Sequence, residues 1–134
     1  MNTKMLIAGV AGGLVLFVTG GLVYVLLLAD FFTVEVTRES ANLLYIVPGE
    51  LVFGCLLAWV LSCCGASTVL DGAKYGALIG CLIALGYGLL LYGATTIADL
   101  TYHLADAVVW AVRFACAGAV IGWWYGRGAT DNGE

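Results

Sequence analysis

Between Met5 and Ala29 the chain runs for 25 residues without a charged side chain. Three more apolar stretches follow, from about Leu43 to Cys64 (interrupted by Pro48 and Glu50), from Lys74 to Ile97 and from Tyr102 to Tyr125. Only 10% of the residues are charged, where a soluble domain carries about 25%. Each stretch is close to or above the ~20 residues a helix needs to cross ~30 Å of hydrocarbon. Within lipid every backbone polar group has to be satisfied internally, which leaves helices as the form for such segments. The expected fold is therefore all-α: a polytopic membrane protein with four transmembrane helices, spanning about 5–29, 43–64, 74–97 and 102–125, as one domain over 1–134. The first stretch is too long for a secretory h-region of about 7–15 residues and reads as a retained span.

Nineteen glycines would weaken helices in water. Between spans they let backbones approach, and in lipid close packing has to replace the hydrophobic effect. Gly72, Gly76, Gly80, Ala84 and Gly88 recur every four residues in the third span, as do Gly118, Gly122 and Gly126 in the fourth. Gly9, Gly13, Gly20 and Gly21 mark the first span, and Gly54 and Ala58 the second. This spacing predicts a compact, glycine-packed four-helix bundle. The same stripes would also suit contact with another copy or another membrane subunit.

Basic residues favour the cytoplasmic side. Lys4, Lys74 and Arg127 flank the N-terminus, the second loop and the C-terminus, whereas the first loop has only Arg38 among Asp30, Glu35 and Glu39. This bias is expected to place both termini in the cytoplasm. The five cysteines lack the spacing of a disulfide, zinc or redox motif. Cys55, Cys81 and Cys116 read as small hydrophobes inside spans, and Cys63 and Cys64 are adjacent.

The fourth apolar stretch is unusual in holding Asp106, the sole histidine His103, and Arg113, with Asp99 just before it. At ~100° per residue, positions 99, 103, 106, 110 and 113 share one helical face. An arginine near mid-span costs roughly 2.5–3.5 kcal/mol even on the lenient insertion scale. It should therefore face the bundle or a wet cavity and have a partner. Its side chain leans toward the helix N-terminus, bringing it level with Asp106 and with Glu50 of the second span. The sequence thus points to a buried polar cluster of Glu50, His103, Asp106 and Arg113 in the outer half of the membrane, in which Arg113 pairs with Glu50 or Asp106. Pro48 either frees a carbonyl inside the helix beside Glu50 or opens that helix at its first turn, with Glu50 complementing the helix dipole.

Plainer readings stand beside these. Asp99 suits an N-cap, and Ser40 or Asn42 suits the cap of the second span. His103 suits a hydrogen-bonded residue near the headgroups better than a proton relay, and less still a pigment or metal ligand. The cluster as a whole fits a structural ion pair as well as a functional one. Trp123, Trp124 and Tyr125 suit an interface belt, Phe31 and Phe32 suit the opposite interface, and "GRGATDNGE" reads as a short flexible tail. The likeness of "LADFFT" and "IADLTY" extends over about three residues and the halves do not align beyond it, so a two-helix duplication is the weaker reading. Glycine-rich phosphate loops, metal clusters and nucleophile motifs are absent from the sequence, which points away from an enzyme, from a cofactor and from a nucleic-acid partner.

"GGLVYVLLLADFF", "PGELVFGCLLAWV" and "GAVIGWWYG" resemble segments of a loose family of small bacterial four-span membrane proteins of unknown function, through Gly21, Tyr24, Gly118, Gly122 and Trp124. The acidic first loop, without tryptophan, departs from that pattern. The resemblance implies the four-span fold and no activity. Small multidrug transporters are less similar, since the first span has no carboxylate; thiol-dependent quinone reductases would need a separated cysteine pair.

Two function classes follow: a helical packing or accessory subunit of a homo-oligomer or larger membrane complex, favoured on size, and a proton-linked transporter of a small solute or ion built on the polar cluster. The charge bias carries a topological prediction. A reporter fused after Thr130 should be active only in the cytoplasm, and labelling of that site from outside intact cells would invert the orientation.

Overall fold

A computed structural model describes residues 2–32 and 42–130, with the side chains of 128–130 left aside. It contains four long helices: α1 (Thr3–Gly21), continued by a π-helical stretch (Leu22–Leu27), α2 (Leu43–Cys63), α3 (Val69–Ala94) and α4 (Leu100–Thr130). All four are long and apolar enough to cross a membrane. Only 17–33% of each apolar window is buried within the chain, so most of the apolar surface requires lipid around it. The protein is a multi-pass membrane protein.

Local signals account for the helix ends. Asn2 caps α1 through Met5 N–H (2.9 Å) and Asn42 caps α2 through Leu44 N–H (3.1 Å), while Ser40 lies outside the described residues. Thr68 Oγ accepts from Asp71 N–H (3.1 Å), so α3 begins at Val69, a turn before the expected Lys74. Lys74 is thereby inside the helix. Helix α2 closes with Gly65 at φ +67°, Ala66 N–H bonding Leu61 O (3.0 Å) and Gly65 N–H bonding Ser62 O (3.2 Å). That left-handed closing turn is where a glycine costs least. At the other end of the chain, α4 runs on through "GRGAT" to Thr130, so most of the expected flexible tail is helical.

The helices form two tight antiparallel pairs, α3 with α4 and α1 with α2, joined chiefly by contact between α1 and α4. Glycines make the α3–α4 seam. A Cβ on Gly72 would strike the Gly118 carbonyl oxygen, and one on Gly118 would strike that of Gly72. Gly76 faces Phe114 O, Gly122 faces Thr68 O and Gly126 faces Ser67 O in the same way. The register advances four residues at a time on both helices, which is why the every-fourth spacing matters. On the other pair, a Cβ at Gly13 would lie 2.8 Å from Leu51 Cα and one at Gly9 would lie 2.8 Å from Cys55 Cα. Approaches this close suit Cα–H···O contacts between helices. A core of Leu16, Leu57, Leu61, Phe114, Ala117 and Ile121 occupies the junction of the pairs.

The glycine stripes thus lie inside the chain, which removes them as an argument for contact with a second copy. Gly86 and Gly93, off the stripes, face open space. Gly80→Leu should force apart α3 and α4, because its Cβ alone would lie 2.6 Å from Trp110 O and Phe114 Cβ. Gly122→Leu should act alike, each costing about 1–3 kcal/mol or more, while Gly86→Leu leaves stability near the parent's. Thermal unfolding in mild detergent checks the contrast; equal stability of all three would remove the seam as the source of packing.

Candidate functional site: a polar cluster across three helices

Asp99 caps α4, its carboxylate accepting from Tyr102 N–H at 2.8 Å. Helix α4 then carries Asp106, Trp110 and Arg113 down the face toward α1 and α2, while His103 sits against Gly88 of α3. Arg113 is 3% exposed. Its Nη2 donates to Glu50 Oε1 at 2.5 Å and to the backbone oxygen of Leu16 at 2.9 Å. One guanidinium therefore ties α4 to α2 and α1. The Arg113 partner is Glu50; Asp106 instead accepts from the Tyr24 hydroxyl. Tyr24 also presents its ring to the guanidinium, 5.4 Å from Cζ, and the Trp110 ring lies 5.7 Å away. The cluster reads in order Asp106, Tyr24, Arg113, Glu50.

Two backbone features admit it. Gly20 is the point at which α1 meets the guanidinium: a Cβ there would sit 2.7 Å from Nη2. The Leu16 carbonyl also accepts from the Thr19 hydroxyl (3.2 Å), which bonds Val15 O at 2.7 Å as well. Hydroxyl back-bonding of this kind loosens a helical ladder. Beyond it the ladder widens into the π-helical stretch that holds Tyr24. On α2, Pro48 lies within the helix, past its first turn. It cannot donate to the Leu44 carbonyl, so a backbone oxygen is released six residues before Glu50. The alternative of Pro48 opening the helix is set aside.

Aromatic rings close the cluster on two sides. Trp110 stacks on Phe114 at 5.4 Å and meets Phe53 edge-on at 5.2 Å. On the loop side Phe32 packs edge-on to Tyr24 (5.0 Å) and Tyr102 (5.2 Å). Phe32 is buried while Phe31 is exposed, so only the second of these meets the expected interface position. His103 is buried at 7% exposure, against Gly88, where a Cβ would lie 3.0 Å from that of the imidazole. Its Nε2 has no hydrogen-bond partner among the described residues, which departs from the expected hydrogen-bonded interfacial histidine. Arg113 Nε is likewise buried without a partner there.

Of the expected interface anchors, Trp123 points outward with Arg127 Cζ 4.6 Å over its ring. Trp124 and Tyr125 turn inward and pack on the core, Tyr125 donating to Ala58 O at 2.9 Å. Their aromatic rings follow the helical face rather than forming a ring around the protein. Among the described residues no three His, Cys, Asp or Glu side chains converge as a metal would require.

Glu50 also lines a groove of about 510 Å³ between the end of α1 and the start of α2, whose other walls include Phe17, Gly20, Gly21, Tyr24 and Ile46. Tyr24 was visible in sequence only as part of a resemblance, and the groove not at all. One signal for Tyr24 was present: it follows Gly20 by four residues, on the same helical face. Compared with family models, curated proteins and solved structures, the chain matches none.

Arg113→Leu should destabilise the protein by about 3–5 kcal/mol, because it leaves the Glu50 carboxylate uncompensated in a poorly hydrated place. Adding Glu50→Gln should recover part of that loss, and adding Asp106→Asn should not. Thermal melts of the three variants in detergent decide it; rescue by Asp106→Asn alone would reassign the partner.

Proposed function

We propose that the chain is a small proton-linked membrane transporter whose working element is the group of Glu50, Arg113, Tyr24 and Asp106. The observation that supports this reading is the groove between α1 and α2 reaching Glu50, the ion-pair partner of a buried arginine. Ionisable side chains within spans are costly, and where they persist they tend to mark substrate or proton pathways. Glu50 is seven residues into α2 and Asp106 six into α4. Both therefore sit about 10 Å along their helices from the loop-side ends at 1.5 Å per residue. With both termini in the cytoplasm, that depth is the outer half of the membrane. The broken regularity of both groove walls fits the same reading: π-helical turns are frequent at functional sites, and Pro48 lies across from one.

A second reading, a packing or accessory subunit of a homo-oligomer or larger membrane complex, is favoured by a different observation. Arg113 bonds groups on two other helices at once, and interhelical polar contacts of this kind act as glue. Here the cluster would only hold the fold.

Reconstitution separates the two. Liposomes carrying the protein and an internal pH dye should show solute-dependent proton movement across a panel of small cations and neutral solutes. The double variant Arg113→Leu with Glu50→Gln should fold and insert yet move no protons. Proton movement equal to the parent's in that variant would exclude the cluster from transport. Silence of the parent with every solute, together with native purification in company with a larger complex, would favour the accessory reading.

A further inference from the structure

We propose that the α1–α2 groove binds a hydrophobic organic cation with its charge against Glu50; this rests on the transport reading above and names its substrate class. The groove volume of about 510 Å³ falls within the ~300–1,000 Å³ typical of sites for drug-sized ligands. Its walls are apolar apart from Glu50 and the Tyr24 phenol, with Phe17, Val25, Leu43 and Ile46 around them. Val25 and Leu43 are 64% and 56% exposed, so the groove opens sideways on the surface that faces hydrocarbon. Gly21 presents bare backbone there, with open space where a Cβ would be.

Charge selects the occupant. The cluster sets two carboxyls, Glu50 on α2 and Asp106 on α4, against one guanidinium, Arg113 on α4. The other titratable groups facing it are Tyr24 from α1, and Tyr102 and His103 from α4. The charged residues of α3, Asp71 and Lys74, lie at the far end of that helix. The surplus carboxyl is that of Asp106, joined to the groove wall through the Tyr24 hydroxyl; in hydrocarbon the cluster as a whole is neutral either with a proton on one carboxyl or with a cation beside Glu50. The two compete, so one proton leaves as one monovalent cation enters and the charge balances. An inorganic cation would exchange its hydration shell for the oxygens of Glu50 and Tyr24 alone, where Ca²⁺ and Mg²⁺ take six or more oxygen ligands. A cation carrying its own apolar surface loses little water and gains contact with the groove walls.

The test uses tetraphenylphosphonium as the probe and the full chain in detergent. Equilibrium dialysis should show saturable binding of one cation per protein. Val25→Trp narrows the groove from an exposed position without touching the ion pair, and it should weaken binding about tenfold or more. Glu50→Gln should do the same, and neutral triphenylphosphine oxide should not compete. Absence of saturable binding, equal binding by Val25→Trp, or equal competition by the neutral compound would each overturn the proposal. Release of one proton per bound cation in weakly buffered solution supports the exchange. Saturable, Glu50-dependent binding with no proton movement in liposomes would keep the site and overturn the transport reading alone.

Discussion

Apolar side chains in hydrocarbon gain nothing by turning toward each other, so this protein coheres where its backbones touch. The α3–α4 seam is built from reciprocal contact between glycine Cα atoms and carbonyl oxygens, at Gly72 and Gly118 above all. Everything else follows from how near that brings the helices. The pair made by α1 and α2 uses the same device at Gly9, Gly13 and Gly54. Side chains outside the seams face lipid, which is why so little of each span is buried.

The two pairs meet differently. Between α1 and α4 side chains also meet backbone, Ile121 against Gly12 and the Arg113 guanidinium against Gly20 and Leu16 O. An arginine at this depth is tolerable only because its charge is matched by Glu50 and its planar faces meet Tyr24 and Trp110. Buried ion pairs are weak sources of stability, since desolvation offsets much of their attraction. Their value lies in making one arrangement of the helices better than its neighbours, because any slip of α2 along α4 unpairs a charge.

The two helical segments that wall the groove are both irregular. The first passes from α to π before Tyr24, after the Thr19 hydroxyl bonds Leu16 O, and the second holds Pro48 between the groove residues Ile46 and Glu50. Regular helices would present smooth walls there. The irregular ones wall a cleft that reaches a carboxylate, the feature on which the transport proposal depends.

The sequence by itself determined the four spans, because apolar length is set by bilayer thickness and needs no tertiary information. It also determined that Arg113 must be buried and paired, since lipid would penalise it anywhere else, and that glycines every fourth residue form contact faces. Choosing Glu50 over Asp106 as the Arg113 partner was beyond it. Both lie at a reachable depth, and the choice turns on the rotation of α2 against α4, which the α1–α2 glycine contacts decide. The same holds for Tyr24, which stood out in sequence only through a resemblance and whose hydroxyl reaches Asp106 from a π-helical stretch. Trp124 and Tyr125 follow this rule as well: aromatic composition suggests the interface, but the helical face on which each residue falls, relative to neighbours far away in the chain, turns them into the core. The groove is a property of two helices diverging above their last glycine contact, and only the tertiary structure contains that divergence.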